Sequence, residues 1–181
     1  MTRMLCTLAL VTLMSAPAAE ATEAKFSLTG NNTKVTFVGT KPNGKHDGGF
    51  RNLTGMATVD GSDVTSLKLS VEIDVNSIYS DNNQLTQHLK SGDFFDVRKH
   101  PKARFASTRI EKSGEGWNIT GDLTMLGKTR AVTFPATIEA SSFGLKLKTE
   151  FTINRTQWGM TYGKGRVDED VKLAVEVTVA K

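Results

Sequence analysis

Three histidines, one cysteine and a scatter of carboxylates are the groups in this sequence with the reactivity for covalent or acid–base work. Their spacing does not assemble a reaction centre. His46 stands beside Asp47 in a glycine-rich turn, His88 sits in a helical stretch, and His100 precedes Pro101. A helical metal site needs ligands at i and i+4, and a strand site needs alternate residues; neither pattern occurs. Cys6 lies in an N-terminal apolar run, so no cysteine nucleophile remains downstream. No G-x-S-x-G elbow or phosphate-cradling glycine loop is present. A scattered Ser–His88–Asp triad is the catalytic arrangement left open. What recurs instead is apolar residues at alternate positions, whose chemistry is burial and binding.

Those residues need strands to position them. Leu67, Leu69, Val71, Ile73 and Val75 alternate with polar neighbours, the period-two signature of a half-buried strand. The same pattern recurs at Phe26–Leu28, Val35–Phe37, 50–59, 103–111, 117–125, 132–138, 145–153 and 171–179. Lys41 to Gly49 reads as a glycine- and asparagine-rich turn, and Asp60-Gly61 as a hairpin signal. One buried and one polar face suit antiparallel pairing. About eight strands with short connections close either as a sandwich or as a barrel wide enough to hold one small ligand. Long sequential hairpins favour an all-β, eight-stranded antiparallel up-and-down barrel.

The period changes once, between Ser80 and Phe105. Ser80 or Asp81 is placed to cap a short helix. Leu85 and Leu89 share its face, and Gly92 is a natural stop. Phe94, Phe95 and a basic run (Arg98, Lys99, Lys102, Arg104) follow. A short helix with an aromatic exit, set among strands, is expected to cover one barrel mouth. Thr156 to Glu169, with Gly159, Gly163 and Gly165, is expected to form a mobile rim loop.

Arg3, the apolar run from Met4 to Met14 and the A-x-A pattern before Thr22 predict a secretory signal over residues 1–21, cleaved after Ala21 with Ala18 as the alternative. Residues 22–181 then form a single domain, periplasmic or secreted. Loss of the leader removes one Arg and one Glu, so the net charge stays at +4. Charge this mild, without a basic stripe interleaved with aromatics, argues against nucleic acid. It weakly favours anionic surfaces.

HLKSGDFFDVRKHPKARF (88–105), GGF (48–50), ITGDLTMLGKTRAVTFP (119–135), INRTQWGM (153–160) and the closing VDEDVKLAVEVTVA occur together in this chain. As a set they resemble the YceI-like family of exported bacterial polyisoprenoid-binding proteins. One departure is the segment before His88, which reads NNQLTQ where many members carry an Arg-Asp pair. The resemblance implies a lipocalin-like barrel around an apolar tunnel. Its ligand would be a polyisoprenoid, an isoprenoid quinone or another long-chain amphiphile, held for transport, storage or sequestration. It implies no cofactor beyond such a ligand and no enzymatic activity. It leaves transient membrane contact and a homodimer as open partners. The alternatives are a lipocalin-like enzyme acting on a hydrophobic substrate and an interaction module with a solid core.

On this reading the ligand contacts are the inward set Val35, Phe37, Leu69, Val71, Ile73, Phe105, Leu123, Met125, Phe134, Phe151, Val175 and Val177. To these are added the gate residues Leu85, Leu89, Phe94 and Phe95. Arg155 continues the alternation of Phe151 and Ile153 and points inward near a strand end. It would hold a phosphate or quinone carbonyl there, or pair with Asp168, Glu169 or Asp170. Trp158 either covers the ligand or anchors the rim loop, as does Tyr162. Lys90, Arg98 and Lys99 either meet an anionic head group or are solvated surface charge. Gly55, Ala57, Gly121, Ala136 and Thr149 are inward residues small enough to leave volume unfilled.

Overall fold

The structure, a computed structural model, describes residues 23–181. The expected signal segment therefore lies outside the described residues. Eleven strands form one antiparallel sheet. They are β1 (Glu23–Thr29), β2 (Thr33–Lys41), β3 (Gly44–Phe50), β4 (Leu53–Asp60), β5 (Asp63–Asp74), β6 (Ile78–Ser80), β7 (Lys102–Ser113), β8 (Gly116–Met125), β9 (Lys128–Ser141), β10 (Gly144–Asn154) and β11 (Asp170–Ala180). A short α-helix, α1 (Asn83–Lys90), follows β6.

The strand order is β1-β4-β5-β7-β8-β9-β10-β11-β2-β3-β6. Combined with the chain connections, this order curls back on itself. β3 and β4 are one bent stave interrupted at Arg51-Asn52, and β5 and β6 another, interrupted by the 3-10 turn Val75–Ser77. β4 pairs with β5 below the bend and β3 with β6 above it. Across the break, Arg51 N–H donates to the Ser77 carbonyl and Asp74 N–H to the Asn52 carbonyl. β5 then pairs with β7 and β3 with β2, so the meander from β7 to β11 returns to β2 and closes the ring. Breaking two staves and adding β1 beside β4 turns the expected eight strands into eleven.

Periodicity misses the three-residue β6 and also β3, which occupies most of the segment expected to be a turn. Its sequence, GKHDGGF, has no apolar alternation, yet it lies between β2 and β6. Gly48 shows why glycine stands there. A Cβ at that position would sit 2.3 Å from the Phe37 ring and 2.4 Å from the Tyr79 carbonyl.

The helix begins one residue later than its sequence signals. The Asn82 side chain is the cap, accepting from Leu85 N–H at 2.9 Å. Asp81 is occupied elsewhere, its carboxylate bound to His46 and to the Asp47 N–H. Ser80 Oγ is bound to the Asn82 carbonyl and the Thr86 hydroxyl. The C-terminal cap is Ser91, not Gly92.

Burial divides the barrel interior in two. At one end Leu28, Val59, Ile119 and Leu145 are 0–1% exposed and form a packed floor. Toward the other end the inward side chains loosen. Along β5, Leu67 and Leu69 are buried while Val71 and Ile73 are half-buried; along β11, Val177 is buried while Val175, Leu173 and Val171 are half-buried. Phe105, Leu123, Val132 and Phe151 repeat the trend on their strands. Inward apolar residues that keep accessible surface must face open space.

Candidate ligand-binding cavity

That space is a cavity of about 380 Å³, within the range of small-molecule sites. Val35, Phe37, Val71, Phe105, Phe151 and Val175 are among its walls, and Leu28, Ile119 and Leu147 are at its packed limit. Of the inward set and gate residues expected from sequence, all line it. Trp158 does not. It is 1% exposed, packed with Val75, Met125 and Met160, and its Nε1–H donates to the Leu123 carbonyl at 3.0 Å. The expectation that Trp158 covers the ligand is corrected: it braces the wall from behind, because its ring is consumed by that packing.

Small inward residues do not make the hollow. A Cβ on Gly55 would meet the Ser70 carbonyl at 2.5 Å, and one on Gly121 would meet both the Ala106 carbonyl and the Phe105 ring at 2.5 Å. Ala57 and Ala136 belong to the packed floor. The open volume lies among the half-buried side chains toward the mouth end, with Thr149 the one member of that small set on its wall. Among the described residues, two buried hydroxyls line the cavity interior, and both are satisfied: Thr149 Oγ1 donates to the Pro135 carbonyl and Thr33 Oγ1 to Asn32 Oδ1. No buried side-chain polar atom among the described residues lacks a partner.

The polar lining collects at one pole, where separate segments converge. Lys41 and His46 come from the β2–β3 hairpin, His88 from α1, and Tyr162 and Asp168 from the rim loop. His88 stacks edge-on against Tyr162 (4.7 Å between centroids) and Phe94 (5.1 Å), joining helix to loop. Leu89 and Phe94 pack with Ile78, Phe37 and Phe50, while Phe95 meets Phe50 edge to face at 5.8 Å. Thr40 ties the hairpin to the loop by its hydroxyl on Asp168 Oδ2 and its carbonyl on Asp168 N–H. The helix therefore covers one barrel mouth, and these contacts hold it down.

Arg155 faces inward as the alternation requires, but its hydrogen bonds differ from both expectations. It is 4% exposed and forms no ion pair among the described residues. Nε donates to the Asp168 carbonyl (3.0 Å), Nη1 to that of Met160 (2.5 Å), and Nη2 to those of Tyr162 (2.8 Å) and Val167 (3.2 Å). Four of five guanidinium N–H groups thus clasp the rim loop. Burial lowers its pKa, partly offset by the charge of Glu169. The Phe94 ring lies 5.8 Å away on the lid side. Sequence reasoning left out His46, Thr40 and Asp168 as lining residues because only loop closure brings them to the mouth. Phe50, Val132 and Leu173 were accessible to alternation and complete the wall.

This arrangement matches a family of known architecture. The YceI-like domain model matches residues 26–179. The chain belongs to the YceI-like family. A UPF0312 protein of Pectobacterium carotovorum is 30% identical over 177 residues, covering 91% of this chain and 90% of that protein. One from Pseudomonas putida is 33% identical over 143 residues, 74% of this chain and 73% of its own length. Among solved structures, Burkholderia cenocepacia BcnA superposes with a TM-score of 0.75 at 24% identity, covering 82% of this chain and 96% of its own. A polyisoprenoid binding domain from Saccharophagus degradans superposes at 0.67 with 12% identity, covering 88% and 100%. At these identities the two structures support the lipocalin-like YceI fold.

Proposed function

We propose that this YceI-like protein is a non-enzymatic carrier whose cavity holds the tail of a polyisoprenoid, an isoprenoid quinone or a similar long amphiphile. The carrying observation is the set of half-buried apolar side chains that face inward above a packed floor. A solid-core interaction module has no use for that hollow. The lining also fits a one-headed ligand, apolar within and polar only at the mouth. Its titratable lining residues, Asp168, His46, His88, Arg155, Lys41 and Tyr162, all belong to the segments converging there. A hydrophobic-substrate enzyme would need a nucleophile or proton carrier beside the buried chain, and the inner wall offers two bonded threonines. The solved Saccharophagus relative, named for polyisoprenoid binding, supports the ligand class.

The energetics suit such a tail. At about 0.8 kcal/mol per buried CH₂, each five-carbon prenyl unit contributes up to about 4 kcal/mol before ordering costs. Export to the periplasm, the setting we propose from the leader, would place the carrier between membranes. Native mass spectrometry of protein purified from its own host, followed by lipid extraction, tests the reading. The expected result is one isoprenoid-containing amphiphile per chain. Copurification of no lipid, together with no uptake of prenyl quinone or polyprenyl phosphate in vitro, would defeat it.

A further inference from the structure

The two ends of the barrel differ in how their charges are used. At the mouth, Asp47 pairs with Lys45 and Asp96 with Lys99, His46 and His88 bind Asp81 and Asp93, and the Thr40 hydroxyl binds Asp168, while Glu169 and Asp170 form no ion pair among the described residues. Most cations of the same end have no such partner. Lys41, Lys90, Arg98, Lys128, Lys164 and Arg166 form no ion pair among the described residues, and all but the half-buried Lys90 are exposed. They come from four segments: the β2–β3 hairpin, the α1 lid, the β8–β9 turn and the rim loop. Contacts tie these segments to one end. A Cβ on Gly127 of the β8–β9 turn would lie 3.5 Å from the His100 ring of the lid, and one on Gly159 of the rim loop 2.9 Å from Lys128 Nζ. At the floor end Lys25, Arg109 and Lys146 are matched with Glu23, Glu111 and Glu139, and Lys112 and Lys181 form no ion pair among the described residues.

The rim loop adds an amphipathic anchor to this charge. Tyr162 is 43% exposed, although its ring touches His88 and Phe94. It leads the stretch Tyr162-Gly163-Lys164-Gly165-Arg166, in which both glycines have positive φ (+72° and +76°). That backbone presents a half-exposed aromatic beside two unpaired cations. Tyrosine favours the bilayer interface, and juxtamembrane cations favour anionic head groups by about 1 kcal/mol each. We infer that the cavity mouth, through Tyr162, Lys164, Arg166, Lys41, Arg98 and Lys128, is a docking surface for an anionic phospholipid bilayer. Docking in this pose sets the opening of the apolar cavity against the membrane surface, with the floor end facing water. The inference stands on charge pairing and position and does not depend on the cargo.

Co-sedimentation with vesicles free of isoprenoids tests it. The vesicles are either phosphatidylcholine alone or equal parts of phosphatidylcholine and phosphatidylglycerol. The purified protein is expected to bind the anionic vesicles at low salt and to be released by high salt, where charges more than about 3 Å apart are screened. Lys164→Gln/Arg166→Gln should weaken binding roughly 25-fold, about fivefold per cation removed. Lys41→Gln/Arg98→Gln, on separate segments, should do the same. Lys25→Gln/Lys181→Gln at the floor end should change it less than twofold. All six sites are exposed, so melting curves should stay unchanged and any loss reads as docking. Failure to bind anionic vesicles, equal binding to phosphatidylcholine alone, or an equal loss from the floor-end variant would overturn the inference.

Discussion

Val175→Phe separates a hollow barrel from a solid one. Val175 is half-buried on the inner wall, with Val35 and Thr149 as its cross-strand neighbours. In a close-packed core, the larger ring would cost about 1–3 kcal/mol in strain. In the cavity it has room, so stability should hold or rise. The ring would instead occupy the path of the tail. Displacing one five-carbon unit forfeits up to about 4 kcal/mol, and rerouting of the chain recovers part of it. At least a tenfold rise in Kd is expected, equal to about 1.4 kcal/mol. Leu145→Ala in the packed floor is the matched opposite. That side chain is 1% exposed. Its truncation should cost about 2–5 kcal/mol, or roughly 4–20 °C in Tm at about 2–4 °C per kcal/mol, with little change in affinity. Binding is read as quenching by a prenyl quinone of Trp158, whose Nε1–H meets the carbonyl of the cavity residue Leu123. If Val175→Phe instead lowers Tm and leaves Kd unchanged, the interior is packed and the ligand site lies elsewhere.

Three further outcomes follow from the same geometry. Arg155→Lys keeps the charge but loses the fork that reaches four carbonyls; a loss of about 3 kcal/mol or more in denaturant unfolding is expected, with faster proteolysis between Gly159 and Glu169. Tyr162→Ala removes the ring that joins the rim loop to His88 and Phe94, and should speed ligand exchange in stopped-flow while changing stability by less than about 1 kcal/mol. Hydrogen bonds from Lys102 and then Arg104 hold the Glu72 carboxyl below its ordinary value of 4.5. Its stabilisation is therefore complete above that pH and lost as pH falls through the lowered value, so the Tm gap between wild type and Glu72→Gln should be constant above about pH 4.5 and vanish in stronger acid.

Alternation makes most of the wall legible in the sequence. A strand that buries one face must place Leu69, Val71 and Ile73 on the same side, and the same rule points Arg155 inward. What alternation cannot tell is whether inward means packed or hollow, since both need apolar side chains. That difference depends on ring width, which is set by pairings between residues distant in sequence. β3 escaped because its glycines answer to the Phe37 ring and the Tyr79 backbone across the sheet, not to local propensity. The helix cap shifted to Asn82 because the fold had already committed Asp81 and Ser80. Trp158 departs from the expectation for a related reason. Its position after a strand suggested a loop residue free to cover a ligand, whereas the 3-10 turn Arg155–Trp158 folds it against the wall behind Leu123 and Met125.

The central claim is that the cavity measures an apolar tail. A ten-residue strand spans about 33 Å, and barrel tilt reduces its height to roughly 25 Å, part of which the packed floor takes up. Affinity should therefore climb steeply with the first prenyl units and level once the tail exceeds the hollow. Titrating one head group carried on a graded series of prenyl lengths, read by intrinsic tryptophan fluorescence, gives that curve directly. A rise followed by a plateau is predicted; affinity independent of prenyl number would contradict the account.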